Sequence, residues 1–222
     1  MITRQVNCGN VLIGGGAPIS VQSMTNVDSR DEAALLRQIF ELTDAGCQIV
    51  RVAVFDMEAA QVFEQVRKKV KVPLVADIHF DYRLAIAAIK AGADKIRINP
   101  GNIGSPDRVK AVVEVARERS IPIRVGVNSG SLEKDIVEKY GGVTAEGLAE
   151  SALRNVQMVR NMGFEDIVLS AKASDAVMNY QAHLLIADKT DCPLHIGVTE
   201  SGTPSVGIVK SAAGLGALLL AG

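Results

Sequence analysis

The stretch KIRINPGNIG, residues 95–104, carries a guanidinium inside an apolar run and then stops on two amides around Pro-Gly. Successive side chains of a β-strand point to opposite faces. Ile96 and Ile98 therefore share one face, and Arg97 and Asn99 the other. A parallel strand covered on both faces is ordinarily apolar throughout. A strand with one polar face needs a polar space to point into.

The pattern recurs along the chain. Val50, Val52 and Val54 oppose Ile49, Arg51 and Ala53. Ala76 and Ile78 oppose Val75, Asp77 and His79. Ile123, Val125 and Val127 oppose Arg124, Gly126 and Asn128, and Ile167, Leu169 and Ala171 oppose Val168, Ser170 and Lys172. In each case the second face turns polar towards the C-terminal end. A doubly wound sheet has helices over both faces and no place for these groups. A barrel lumen opening into a mouth at the strands' C-terminal ends has one.

Working outward, strand-like runs fall at 19–24, 49–54, 73–78, 95–99, 121–128, 166–172 and 193–200, after a hairpin over 5–13. Amphipathic helical stretches alternate with them at 31–45, 57–70, 82–91, 106–119, 144–162, 174–187 and 205–220. Gly46, Gly92 and Gly163 stand just past three of these, where helices usually stop. The alternation predicts an α/β fold, a TIM (β/α)8-type barrel, which typically takes ~250 residues. Residues 1–222 read as one substrate-binding domain with seven βα units and no eighth strand before Gly222, so the barrel is expected to be incomplete.

Composition narrows the function classes. Aromatics make up 4 % with no Trp, which argues against a base-stacking nucleic-acid module. A formal net charge of −1 means that any cationic site is local. Cys8, Cys47 and Cys192 are scattered, with no CxxC, so neither a disulfide framework nor a metal site is predicted, and the reading is a reducing, cytoplasmic compartment. The opening residues lack the apolar core of a signal peptide, and the apolar run 212–221 is too short for a membrane span of ~20 residues.

Parity and position bring Arg51, Asp77, His79, Arg97, Asn99, Arg124, Asn128, Ser170, Lys172 and His195 to one mouth, with Asn102 just past the fourth barrel strand and Glu200 ending the seventh. Guanidinium forks and an ammonium bind phosphates, and amides complete such cradles. The cations outnumber Asp77 and Glu200, which points to a ligand with several negative charges, most simply a di- or bisphosphate. Glu200 reads equally as an acid/base or as a helix cap. Neither histidine has the spacing of a metal motif.

The ordered segments SVQSMTN, VADIHFDYRLA, KIRINPGNIG, IRVGVNSGSLEKD, SAKAS, HIGVTESG and VKSAAGLGALL span nearly the whole chain. Together they closely resemble the N-terminal barrel of the bacterial 4-hydroxy-3-methylbut-2-en-1-yl diphosphate synthases of the non-mevalonate isoprenoid pathway. The resemblance implies reductive ring opening of 2-C-methyl-D-erythritol 2,4-cyclodiphosphate, with loss of water, to (E)-4-hydroxy-3-methylbut-2-enyl diphosphate. It implies that Arg51, Arg97, Arg124, Lys172, Asn99, Asn128 and His79 hold the cyclic diphosphate, and that Glu200 is an acid/base near the reacting carbons. It further implies a four-iron four-sulfur (4Fe-4S) cluster on a second domain, ferredoxin or flavodoxin as electron donor, and a homodimer. The three cysteines of this chain do not match the family's cluster-ligand motif, so the chain alone is expected to bind substrate without turnover. Two rivals are a barrel like that of dihydropteroate synthase, suggested faintly by TNVDS at 25–29, and a non-catalytic phosphate-binding barrel.

Overall fold

A computed structural model describes residues 2–222. The chain opens with an antiparallel hairpin, β1 (Gln5–Cys8) and β2 (Val11–Gly14). Six parallel strands follow: β3 (Gln22–Met24), β4 (Ile49–Ala53), β5 (Leu74–Asp77), β6 (Lys95–Ile98), β7 (Ile123–Asn128) and β8 (Ile167–Lys172). They pair strictly in chain order. A doubly wound sheet reverses direction from a middle strand. One-way order with a helix after each strand is barrel winding, as the polar strand faces predicted.

Helices α1 (Glu32–Asp44), α2 (Met57–Arg67), α3 (Tyr82–Lys90), α4 (Pro100–Ile103), α5 (Pro106–Glu118), α6 (Lys134–Tyr140), α7 (Ala145–Arg160), α8 (Ala176–Ala187) and α9 (Pro204–Leu220) connect and follow the strands. Sequence patterning missed α4 and α6. Both are short segments inside βα connections, and each begins where Pro or an acidic residue reads as loop.

The core lies between sheet and helices. Val50, Val52, Leu74, Ala76, Ile96, Ile98, Val125, Val127, Leu169 and Ala171 are buried against α-helical residues such as Leu35, Phe63, Ile89, Val113 and Val159. Full burial of the Val, Leu, Ile and Phe side chains among them stabilises by ~1.5–3 kcal/mol each. These are the strand positions assigned outward by parity. A separate small cluster closes the lumen floor, where Cys8 of the hairpin packs with Ile49 and Val75. The hairpin turn fits there because Gly9 takes φ 60 and lies close to Asp94 and Pro73.

The seventh expected strand is corrected by the structure. Residues 193–200 form only an isolated bridge, Leu169 to Leu194, and no regular strand. The backbone bonds Leu169 N to Pro193 O and His195 N to Leu169 O tie this segment to β8 on one side. Among the described residues nothing pairs with its other edge, so the two-sided ladder of a barrel strand does not form.

Four helix starts that follow the strands are capped by aspartates. Asp31, Asp56, Asp81 and Asp175 each accept a backbone N–H in the first turn of α1, α2, α3 and α8. This is ordinary N-capping. It also turns these carboxylates towards helix ends rather than the lumen.

The three cysteines are all buried and lie in different parts of the fold. A thiol reagent such as Ellman's reagent should leave Cys8, Cys47 and Cys192 unmodified in the folded chain and titrate all three in denaturant. Fast modification without denaturant would contradict this packing.

Candidate anion-binding site

The site is built from the inward-facing positions of the strands. Register places Asp77 opposite Arg97, and Arg97 opposite Arg124. Met24 lies opposite Arg51, and Asn128 opposite Lys172. Like charges directly across a strand pair destabilise, and here two guanidinium groups are neighbours in the lumen.

Asp77, 2 % exposed, is the only carboxylate paired to these cations among the described residues. Arg97 Nη1 donates to its Oδ1 at 3.3 Å, and Arg51 Nε lies 3.8 Å from its Oδ2. His79, exposed at the rim, brings Nε2 to 3.6 Å of the same oxygen. Arg97 Nη2 also donates to the Gly126 carbonyl at 3.2 Å. The arginine crosses Gly126 so closely that a Cβ there would sit 2.5 Å from Arg97 Nε. The glycine in IRVGVN thus exists to let this guanidinium pass.

Several donors find weak partners or none. Arg51 Nε and Nη2 donate to the Met24 thioether at 3.0 and 2.7 Å, a poor acceptor for a cation. Arg124 Nε donates to Ser170 Oγ at 3.0 Å, while its Nη1 is buried without a partner among the described residues, as is Arg97 Nε. A buried donor left unsatisfied costs ~1–3 kcal/mol, more when it is charged. Burial first, then Arg51 and Arg97, push the Arg124 pKa well down. Arginine does not deprotonate at ordinary pH, so Arg124 remains a cation held away from water beside two others.

Lys172 at the end of β8 has its pKa lowered to about 7 by burial, then by Arg124, Arg51 and Arg97. Its Nζ packs against Gly197, where a Cβ would come within 2.9 Å. His195, half-buried, is held well below the usual imidazole range by burial and by Arg124 and Lys172. It faces the lumen neutral.

Patterning overlooked Lys95 and Met24. Lys95 is 1 % exposed one layer below Arg97, donates to Gln22 Oε1 at 3.2 Å, and is lowered to about 8 by burial. At the start of a strand run it reads as a solvated flank. Its parity with Arg97 was the signal available.

Three expected members lie differently. Asn99, 3 % exposed, turns its Oδ1 to the Gly101 N–H and caps α4, leaving its Nδ2 as the group it can offer a ligand. Asn102 is half-buried in that turn, its N–H donating to the Asn99 carbonyl at 2.9 Å. Glu200 is exposed, with φ 50, and makes no ion pair with the lumen cations. It is not the cap of α9 either, since Thr203 holds that position. Because 193–200 is not a strand, parity does not carry Glu200 inward.

Among the described residues no three His, Cys, Asp or Glu side chains gather where they could hold a metal ion. The residues present do not fit a four-iron cluster. No helix among the described residues is long and apolar enough to cross a membrane.

Lys172 gives the site a pH signature. Its folded pKa lies below the 10.5 of the free side chain, so the cost of burying the cation is full below about 7 and fades as pH rises towards 10.5. Anion affinity runs the other way. Sulfate, whose charge is constant in this range, should bind about tenfold more weakly at pH 8 than at pH 6. Lys172→Met should weaken binding at pH 6 and flatten the profile, leaving the slope due to Lys95. A profile in Lys172→Met as steep as in the unmodified chain would contradict the assignment.

The sequence profile of the GcpE TIM-barrel domain matches residues 3–222. The chain is 56 % identical over 220 residues to a protein of Ruminiclostridium cellulolyticum named 4-hydroxy-3-methylbut-2-en-1-yl diphosphate synthase (flavodoxin), covering 99 % of this chain and 62 % of that protein. It is 55 % identical over 220 residues to the protein of the same name from Idiomarina loihiensis, covering 99 % of this chain and 59 % of that protein. The chain thus spans about 60 % of the length of these relatives. Among solved structures, dihydropteroate synthase of Xanthomonas albilineans superposes with a TM-score of 0.69 at 15 % identity over 98 % of this chain and 90 % of that one. A truncated 3-deoxy-D-arabino-heptulosonate 7-phosphate synthase of Thermotoga maritima gives 0.67 at 15 % identity, over 97 % of this chain and 77 % of that one. Similarity at that level establishes the barrel alone. The dihydropteroate synthase rival therefore rests on fold alone, whereas the family match extends over residues 3–222: this chain belongs to the GcpE TIM-barrel domain family.

Proposed function

We propose that this barrel binds the diphosphate of 2-C-methyl-D-erythritol 2,4-cyclodiphosphate and presents its ring for reductive opening to (E)-4-hydroxy-3-methylbut-2-enyl diphosphate. One observation carries the reading: Arg51, Arg97, Arg124, Lys95 and Lys172 share a lumen in which Asp77 pairs, of these cations, only with Arg51 and Arg97, and Arg97 Nε and Arg124 Nη1 have no partner among the described residues. A ligand carrying two phosphoryl groups satisfies such donors. The diphosphate in the relatives' names accords with that chemistry.

The residue roles follow from position. Arg97 and Arg124 grip the diphosphate from the lumen walls, held by Asp77 and Ser170. Arg51 exchanges a thioether for a phosphoryl oxygen. Lys172 enters charged at low pH and is drawn to the charged form by a bound anion. Asn99 Nδ2, Asn102, Asn128, His79 and neutral His195 line the mouth and orient the carbon skeleton. Glu200 is assigned proton transfer near the reacting carbons, reached by movement of the segment after 194, which is tied to β8 on one edge only. A left-handed backbone at a non-glycine residue costs ~1 kcal/mol or more and suits a movable element.

The electrons come from flavodoxin, which the relatives' names carry, or from ferredoxin. The cluster, the homodimer that brings it over the mouth, and the domain that carries it are assigned to the whole protein rather than to these residues. Residues 1–222 act as the substrate-binding part, which alone does not turn over.

Titration calorimetry with the cyclic diphosphate tests this. The chain should bind it, and Arg97→Met should lose ~2–5 kcal/mol of binding free energy while remaining folded. A pterin should not compete. Unchanged binding in Arg97→Met, or displacement by a pterin, would contradict the reading.

A further inference from the structure

Behind the mouth, α7 carries two polar side chains where apolar ones would pack as well. Ser151 and Asn155 are each 1 % exposed, one helical turn apart. Asn155 makes three side-chain hydrogen bonds, using both of its donors and its oxygen. Its Oδ1 accepts from the Gly101 N–H at 3.0 Å, and its Nδ2 donates to Glu133 Oε1 and to the Ser151 carbonyl, each at 2.9 Å. Ser151 Oγ donates to the other oxygen of Glu133. Glu133 precedes α6 and ends the segment that leaves β7 at Asn128. The Gly101 N–H is shared between Asn155 and Asn99, whose Oδ1 lies at 3.2 Å. A Cβ on Gly101 would come within 3.5 Å of both Asn99 Oδ1 and Glu133 Oε1.

These bonds join two mouth segments, 99–103 and 128–133, through one residue of a helix that touches no ligand. We propose that Asn155, with Glu133, is a positioning brace that fixes the spacing of Asn99 and Asn128 across the anion site. The proposal rests on the reading of the lumen as a diphosphate site. Buried polar networks in which every member is satisfied specify one geometry, whereas an apolar contact would allow the two segments to slide. Gly101 is the hinge point. Its amide is held from inside by Asn99 and from behind by Asn155, so Asn99 is oriented by the same bond that orients the turn.

The test separates brace from charge. Glu133→Met removes a negative charge near an anion site, and electrostatics alone would tighten binding of inorganic pyrophosphate. The brace requires the opposite. Calorimetry with pyrophosphate should show Glu133→Met and Asn155→Leu weakened by about fivefold or more, with exchange of the Gly101 amide proton accelerated to a similar degree. Glu133→Gln should stay within about twofold of the unmodified chain, because the new amide accepts from Asn155 and donates to the Ser151 hydroxyl. If Glu133→Met fails to fold, Asn155→Asp serves in its place. It sets two carboxylates face to face and should weaken binding, and adding Glu133→Gln should recover part of the loss by reversing donor and acceptor, while the Ser151 carbonyl stays without its side-chain donor. Tighter or unchanged binding in Glu133→Met, unchanged Gly101 exchange in Asn155→Leu, or failure of the exchanged pair to recover would overturn the brace. Absence of pyrophosphate binding by the unmodified chain would instead overturn the anion-site reading, and the brace's purpose with it.

Discussion

The pairing of Arg97 with Asp77 across neighbouring strands is the interaction on which the lumen depends. A buried ion pair rarely adds net stability, because both charges lose water. Here the imbalance is deeper. The same carboxylate faces Arg51 and His79, and Arg124 stands next to Arg97 with no carboxylate of its own. Such an arrangement is tolerable in a fold whose outer core is close-packed and apolar. The valines and isoleucines facing the helices hold the strands in register, and the strands in turn hold the cations together.

This division of labour comes from the geometry of a parallel strand. A period of two sends alternate residues to different surroundings. The outward set supplies stability and the inward set supplies chemistry. Apart from Asp77, aspartates after the strands do not relieve the charge, since Asp31, Asp56, Asp81 and Asp175 are occupied as helix caps. A bound anion would relieve it, which is the role proposed for the site. The depressed pKa of Lys172 is the same statement in another form, an amine whose charge waits for a counterion.

Much of this was legible before any coordinates. Arg97, Arg124, Asp77 and Ser170 were assigned to one lumen by alternation alone, and the structure brings them within bonding distance. Lys95 escaped because a lysine opening a strand run looks like a solvated flank; only the closed floor formed by Cys8, Ile49 and Val75 buries it. Glu200 was placed by counting along a strand that does not form, since the segment after 194 has a ladder partner on one side only. Asn99 has the expected parity, yet its side-chain oxygen is taken by Gly101, a local competition that alternation does not see. The short helix at 100–103 was hidden by its own Pro-Gly, which reads as a stop and serves here as a helical first turn.

The central claim is that the surplus of lumen cations is an anion site matched to a diphosphate. A crystal structure of the chain with 2-C-methyl-D-erythritol 2,4-cyclodiphosphate tests it most directly. Phosphoryl oxygens should lie within hydrogen-bonding distance of Arg124 Nη1 and Arg97 Nε, the lumen guanidinium nitrogens that are buried without partners among the described residues. A bound ligand that leaves both unpartnered, or that lies outside the lumen, would contradict it.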